Sequence, residues 1–167
     1  MVNGFLAVFT IVAVCMDLKS QKIDNLWIMI GWSAGLLYQI FSHRFRGVGV
    51  FLLGSLLPIF LLYLLFWFRM LGAGDIKMLS VLGGVMGAGS ILICMGWSLL
   101  FGALFSVAAM IVCGNFFSRF RYFIDYLRDF LKTKQVVPYM VRGNRMENIH
   151  FSVPILLGVL LYIGGVY

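Results

Sequence analysis

Charged residues are scarce in this sequence, and their scarcity limits the kinds of protein it can encode. Only 11% of the 167 residues are charged and 62% are hydrophobic, whereas soluble globular domains carry about 25% charged residues. Cysteine is also rare: Cys15, Cys94 and Cys113 stand alone in apolar surroundings, so no C-x-x-C pair predicts a zinc site or a redox couple. The composition excludes an ordinary soluble core and favours a membrane protein.

The few charges are clustered, which leaves long uncharged runs between them. A helix that crosses the hydrocarbon core needs about 20 mostly apolar residues, and the longest run has room for two such helices with a turn at Gly87-Ala88-Gly89-Ser90. We therefore expect an all-α, polytopic protein of about six transmembrane helices, with a single membrane-embedded domain over residues 1–167. The first helix has no basic residue before it and no cleavage site after it, so we expect it to be retained. The uncharged runs are residues 1–16, 26–42, 47–68, 78–118 and 150–167.

The basic residues predict the orientation in the membrane. Lys and Arg gather on the cytoplasmic side, and segment 119–145 alone holds seven of the 13. Placing it inside also places loops 17–25 and 69–77 inside, so that eleven of the 13 basic residues are cytoplasmic and only Arg44 and Arg46 are not. The net charge of +7 thus indicates topology, and no basic, aromatic stripe predicts nucleic-acid binding.

One sizeable extramembrane segment, residues 119–149, is expected on the cytoplasmic side. Its first half is amphipathic, with apolar residues at helical spacing, so it should continue the fifth helix along the membrane surface. That helix should end near Val137-Pro138, because a residue before proline disfavours helical geometry. The segment either binds a basic or amphipathic part of a substrate or anchors the chain at the interface.

Two of the six acidic residues are the strongest candidates for chemistry. Asp75 follows Gly72-Ala73-Gly74 at the start of a helix, where it is either a functional carboxylate or an ordinary helix cap. Asp17 lies at the cytoplasmic end of the first helix, at the same expected depth. Two nearby carboxylates share a proton, as in aspartyl-peptidase chemistry.

No metal or cofactor is predicted, because His43 and His150 fall on opposite sides of the membrane, and we interpret both as interfacial side chains. Asp125, Asp129 and Glu147 read as solvated counter-charges.

The stretch Gly72-Ala73-Gly74-Asp75-Ile76-Lys77 resembles the G-x-G-D-x-K motif of the type IV prepilin peptidases. Presenilin-like proteases share GxGD, but they are larger and place their partner Asp after a Tyr. A second prepilin-peptidase motif has an Asp at a helix end, basic residues and an Ile-Pro-Asn sequence, and here residues 17–25 resemble it. Residues 149–158, with Pro154, resemble a third motif more weakly. Asp24 stands where the family usually has proline, and it is an alternative to Asp17.

The resemblance implies an aspartic-type endopeptidase of the prokaryotic cytoplasmic membrane, with its active site facing the cytoplasm. It would cleave the short leader of pilin, pseudopilin or Flp-type precursors after a glycine, without cofactor or metal, so its partners would be a prepilin-like membrane protein and the lipid bilayer. Larger family members carry a methyltransferase domain with paired C-x-x-C motifs, and we expect this chain to be the short form without it. Asp17 and Asp75 would be catalytic, with substrate-binding or supporting roles for Gly72, Gly74, Lys77, Lys22 and Asn25.

Two other functions remain open on the sequence alone. Membrane carboxylates also relay protons or bind cations, so a proton- or cation-coupled carrier is one alternative, although the helix centres are uncharged and no inverted repeat is evident. The other alternative is a membrane subunit of a secretion machine that keeps the fold without activity, against which the two intact aspartates argue.

Overall fold

The computed structural model describes residues 2–68, 70–112, 121, 128 and 150–167. Over these residues the regular structure is entirely helical, which confirms the predicted all-α class. The described helices are α1 (Val2–Ser20), α2 (Asn25–His43), α3 (Phe45–Trp67), α4 (Ala73–Met86), α5 (Ala88–Val112) and α6 (Ser152–Ile163).

The helix ends follow the uncharged runs of the sequence closely. The long run 78–118 is broken at Gly87, where a φ of 83° ends α4 before α5 begins at Ala88. Among the described helices α1, α3 and α5 are long and apolar enough to cross a membrane, whereas α4 and α6 have only 14 and 12 residues. The chain is a membrane protein, and six spans remain a prediction. The amphipathic segment 119–149 lies outside the described residues apart from Arg121 and Arg128.

Helix α4 lies at the centre of the bundle. Every residue from Met78 to Met86 is buried, and α4 packs against α1, α2, α3 and α5. Helix α6 packs against α1 and α5. The outer helices expose large apolar side chains such as Phe41, Phe60 and Val112, a surface that suits contact with lipid better than contact with water.

Glycines allow α3 and α4 to approach each other at backbone distance. A Cβ atom at Gly54 would collide with the carbonyl oxygen of Gly83, and a Cβ atom at Gly83 would collide with that of Gly54. Small residues at helix contacts are typical of membrane bundles, where association depends on close packing and not on hydrophobic burial. The contact fixes the C-terminal part of α4 against the middle of α3.

A buried side chain from α2 holds the C-terminal end of α4. The Nε2 atom of Gln39 donates hydrogen bonds to the carbonyl oxygens of Gly84, at 3.0 Å, and Val85, at 3.1 Å. Carbonyls in the last turn of a helix have no partner within that helix, so Gln39 satisfies groups that α4 cannot satisfy itself. With its C-terminal end fixed by α2 and α3 and its residues from Met78 onward buried, α4 presents its N-terminus, and Asp75, in a defined position.

Candidate active site

Four helix ends meet at one end of the bundle and carry the candidate residues. Asp17 lies in the last turn of α1, Asp75 in the first turn of α4, and Ser152 at the first residue of α6. Lys77, one turn into α4, donates a hydrogen bond to the Oδ1 atom of Asn25 at the start of α2, at 2.8 Å. Residues distant in the sequence are thereby collected around the ends of α1 and α4.

The Asp75 side chain folds back onto the glycine turn that precedes its helix. Its carboxyl accepts a hydrogen bond from the backbone N–H of Gly72, the N-cap residue of α4, as in half of a capping box. A Cβ atom at Gly72 would lie 3.1 Å from the Oδ2 atom of Asp75, whereas one at Gly74 would lie 3.6 Å from the Ile23 side chain, an ordinary contact. Within the fold, Gly72 is therefore the glycine that leaves room for the carboxyl.

The environment of Asp75 favours its protonated form. Asp75 precedes the buried part of α4 and lies outside the three candidate membrane spans. Burial, and after it the charge of the nearby Asp17 carboxylate, raise the pKa of Asp75, and the Gly72 N–H and His150 oppose the rise; the net result is a pKa of about 7, up from 3.8. A carboxyl with this pKa retains its proton over much of the neutral range and can donate a hydrogen bond.

Asp17 has a different set of neighbours. The Oγ atom of Ser152 donates a hydrogen bond to its Oδ2 atom at 2.6 Å, and the Nδ1 atom of His150 lies 3.0 Å from the same oxygen. The Asp17 side chain keeps 15% of its surface exposed, and that of His150 keeps 24%. Asp17 is therefore oriented by two side chains and still open to water.

The His150 contact adds a role that the sequence did not indicate, because the structure places the His150 ring directly on Asp17; its interfacial position stays a prediction. Sequence reasoning missed Ser152 altogether. The available signal was the weak third motif at residues 149–158, which brings a polar pair to the start of the last helix. His43 lies at the C-terminal end of α2, opposite the end that carries Asn25.

Two further predicted residues, Lys22 and Asp24, lie in the connection between α1 and α2. Asp24 is exposed at the N-cap of α2 and makes no side-chain capping bond. Lys22 is exposed and its carbonyl oxygen accepts a hydrogen bond from the Ser20 hydroxyl at 2.9 Å. In the part of the chain that the structure describes, no three His, Cys, Asp or Glu residues are grouped so that they could hold a metal ion.

The sequence was compared with known protein families, curated proteins and solved structures. The model of the type IV leader peptidase family matches residues 4–119, a range that contains Asp17, Asp75 and the residues between them but stops before His150 and Ser152. No curated protein and no solved structure matches the chain significantly. Because the family match covers more than half of the sequence, the chain belongs to the type IV leader peptidase family.

Proposed function

We propose that the protein is a membrane aspartyl endopeptidase whose catalytic dyad is Asp17 and Asp75. The observation that carries the proposal is the pairing of two carboxyls from α1 and α4, close enough for the charge of Asp17 to raise the pKa of Asp75. Family membership supports peptidase activity. Two carboxyls in unlike environments are the arrangement by which aspartyl peptidases separate their acid from their base.

In this mechanism one carboxyl is ionised and the other carries a proton. The ionised member takes a proton from a bound water, whose oxygen then attacks the carbonyl carbon of the scissile peptide. The protonated member donates a hydrogen bond to the oxygen on which negative charge develops. Collapse of the tetrahedral intermediate then breaks the C–N bond as the carboxyl that took the proton from water gives it to the leaving nitrogen.

The proposed substrate is the leader of a pilin, pseudopilin or Flp-type precursor, cut after a glycine at the cytoplasmic face. The orientation rests on the eleven of 13 basic residues that this topology places inside. Glycine before the scissile bond lets an extended backbone approach the two carboxyls closely, because it has no side chain to obstruct them. The exposed Lys22 and the Lys77–Asn25 pair border the path that such a backbone would take.

Cleavage of defined precursors tests this proposal. The purified protein in lipid vesicles is incubated with precursors that carry a short basic leader ending in glycine, followed by an apolar helix. The expected product begins at the residue after the glycine, as read by mass spectrometry of the new N-terminus, and a precursor with valine in place of that glycine should be cut poorly. Cleavage at other positions, or no cleavage of any such precursor, would contradict the substrate assignment.

A further inference from the structure

The two carboxyls of the dyad receive very different hydrogen-bonding support. Asp17 has two side-chain partners, His150 and Ser152, and both approach a single oxygen, Oδ2. Asp75 has a backbone partner, the N–H of Gly72. The Ser152 hydroxyl donates to Asp17, and the Nδ1 atom of His150 donates to the same oxygen in the tautomer that carries a proton there. Two side chains therefore fix the orientation of the Asp17 carboxyl.

The two donors are held rigidly by one turn of backbone. Ser152 is completely buried, and the carbonyl oxygen of His150 accepts a hydrogen bond from the N–H of Val153 at 3.2 Å. Between them, Phe151 lies against α5, where a Cβ atom at Gly102 would meet its ring at 2.7 Å. Residues 150 and 152 thus contact α1 while residue 151 packs on α5. The N-terminus of α6 adds a favourable field for an anion at Asp17.

We propose that His150 and Ser152 are positioning residues that orient the Asp17 carboxyl, so that Asp17 is the general base of the dyad and Asp75 is the protonated member. This inference rests on the proposed peptidase function. It assigns each carboxyl one role and gives α6, which lies outside the family match, a part in the reaction. With Oδ2 occupied by two donors, Oδ1 of Asp17 is the oxygen left to receive the proton from water.

The kinetic consequence is a loss in the chemical step with substrate binding preserved. A hydrogen bond to a charged group contributes about 1.5–3 kcal/mol. If that stabilisation is lost from the transition state, the rate of the chemical step falls by about 10-fold or more. We expect Ser152→Ala and His150→Ala each to lower kcat by about 10-fold with KM nearly unchanged. His150→Asn keeps a donor near the position of Nδ1 and should recover a large part of the lost kcat.

A matched control separates this effect from general damage to the bundle. Ser98 is also completely buried, and its hydroxyl bonds to the carbonyl oxygen of Cys94 within α5 at 2.7 Å. Ser98→Ala therefore removes a buried serine hydroxyl without touching the dyad, and kcat should stay close to that of the unaltered protein. An equal loss of kcat in Ser98→Ala and Ser152→Ala would overturn the positioning role.

A second readout does not depend on cleavage. A water-soluble carbodiimide with an amine nucleophile labels carboxyls whose oxygens are free to react, and mass spectrometry of peptides measures the labelled fraction of Asp17. We expect this fraction to be low in the unaltered protein and in Ser98→Ala, because His150 and Ser152 both lie against Oδ2 of Asp17. It should rise several-fold in Ser152→Ala and His150→Ala, where that oxygen is uncovered. Unchanged labelling in both variants would overturn the inference whatever the kinetics show. If the labelling contrast appears but no precursor is cleaved, the peptidase proposal fails and the donor pair on Asp17 stands.

Discussion

At the scale of single residues, the two carboxyls of the candidate site differ in what surrounds them. Asp17 is partly open to water, accepts a hydrogen bond from Ser152 and lies 3.0 Å from the Nδ1 atom of His150. Asp75 is desolvated, and its pKa is raised to about 7. When the environments of two titratable groups differ, their pKa values can differ as well, and a single site can then supply both an acid and a base near neutral pH.

The raised pKa of Asp75 predicts a pH-dependent stability. The folded protein binds the Asp75 proton more tightly than the unfolded chain, so this contribution is fully present below the ordinary pKa of 3.8 and is lost as the pH rises to about 7. The asparagine side chain of Asp75→Asn does not titrate, so the stability of the variant does not fall with pH for this reason. The difference in thermal unfolding temperature between Asp75→Asn and the unaltered protein should therefore grow in favour of the variant from pH 4 to pH 8.

Exposed Asp24 provides the control for that titration. Asp24→Asn should shift the unfolding temperature by a similar small amount at every pH, because this side chain is exposed and makes no capping bond. A difference for Asp75→Asn that is constant across the pH range would show that the Asp75 carboxyl is not desolvated as described.

The sequence indicated the two candidate carboxyls but not the groups that surround them. Asp17 and Asp75 were identifiable because each stands at a helix end beside a distinctive motif. Ser152 lies 135 positions from Asp17, and nothing in hydropathy or spacing indicates which helix end approaches which. The contact depends on how α6 packs against α1, which is a tertiary property.

At the scale of helices, the bundle depends on α4, a short helix buried on all sides beyond its first turn. Helix boundaries could be predicted because charges and glycines interrupt apolar runs, as at Gly87. The central place of α4 could not be predicted, because a buried helix and a lipid-facing helix have similarly apolar sequences. What distinguishes α4 is its continuous burial from Met78 to Met86 and its glycine contact with α3, where Gly54 and Gly83 face each other.

The glycine contact predicts a sharp difference between two Gly→Ala changes. In Gly54→Ala the new methyl group would collide with the backbone of Gly83, and backbone cannot move aside as a side chain can. Forcing extra atoms into a packed core costs about 1–3 kcal/mol or more, so we expect a clear fall in thermal unfolding temperature in detergent. At Gly96 a Cβ atom would meet nothing within 4 Å, and Gly96→Ala should unfold at the original temperature or slightly above it. Equal unfolding temperatures for the two variants would rule out the close contact.

At the scale of the whole molecule, composition and charge distribution predicted a helical membrane protein, and the structure confirms that class. The family match confirms the resemblance first carried by the G-x-G-D-x-K stretch. The count of six spans and the cytoplasmic placement of the site remain predictions, since they depend on where the bilayer lies along the helices. The span count follows from the lengths of the uncharged runs, and the cytoplasmic placement follows from the retention of basic residues on that side of the membrane.

The central claim is that Asp17 and Asp75 together perform the cleavage, and replacing each by its isosteric amide tests it most directly. Asp17→Asn removes the proton acceptor and Asp75→Asn removes the acidic proton, so each should reduce precursor cleavage at least about 100-fold. The unfolding transition of each variant verifies that it still folds. Asp125→Asn, a carboxyl of the basic segment, should cleave at the original rate. Cleavage of a leader-bearing precursor at the full rate by folded Asp75→Asn protein, followed on a gel, would contradict the account.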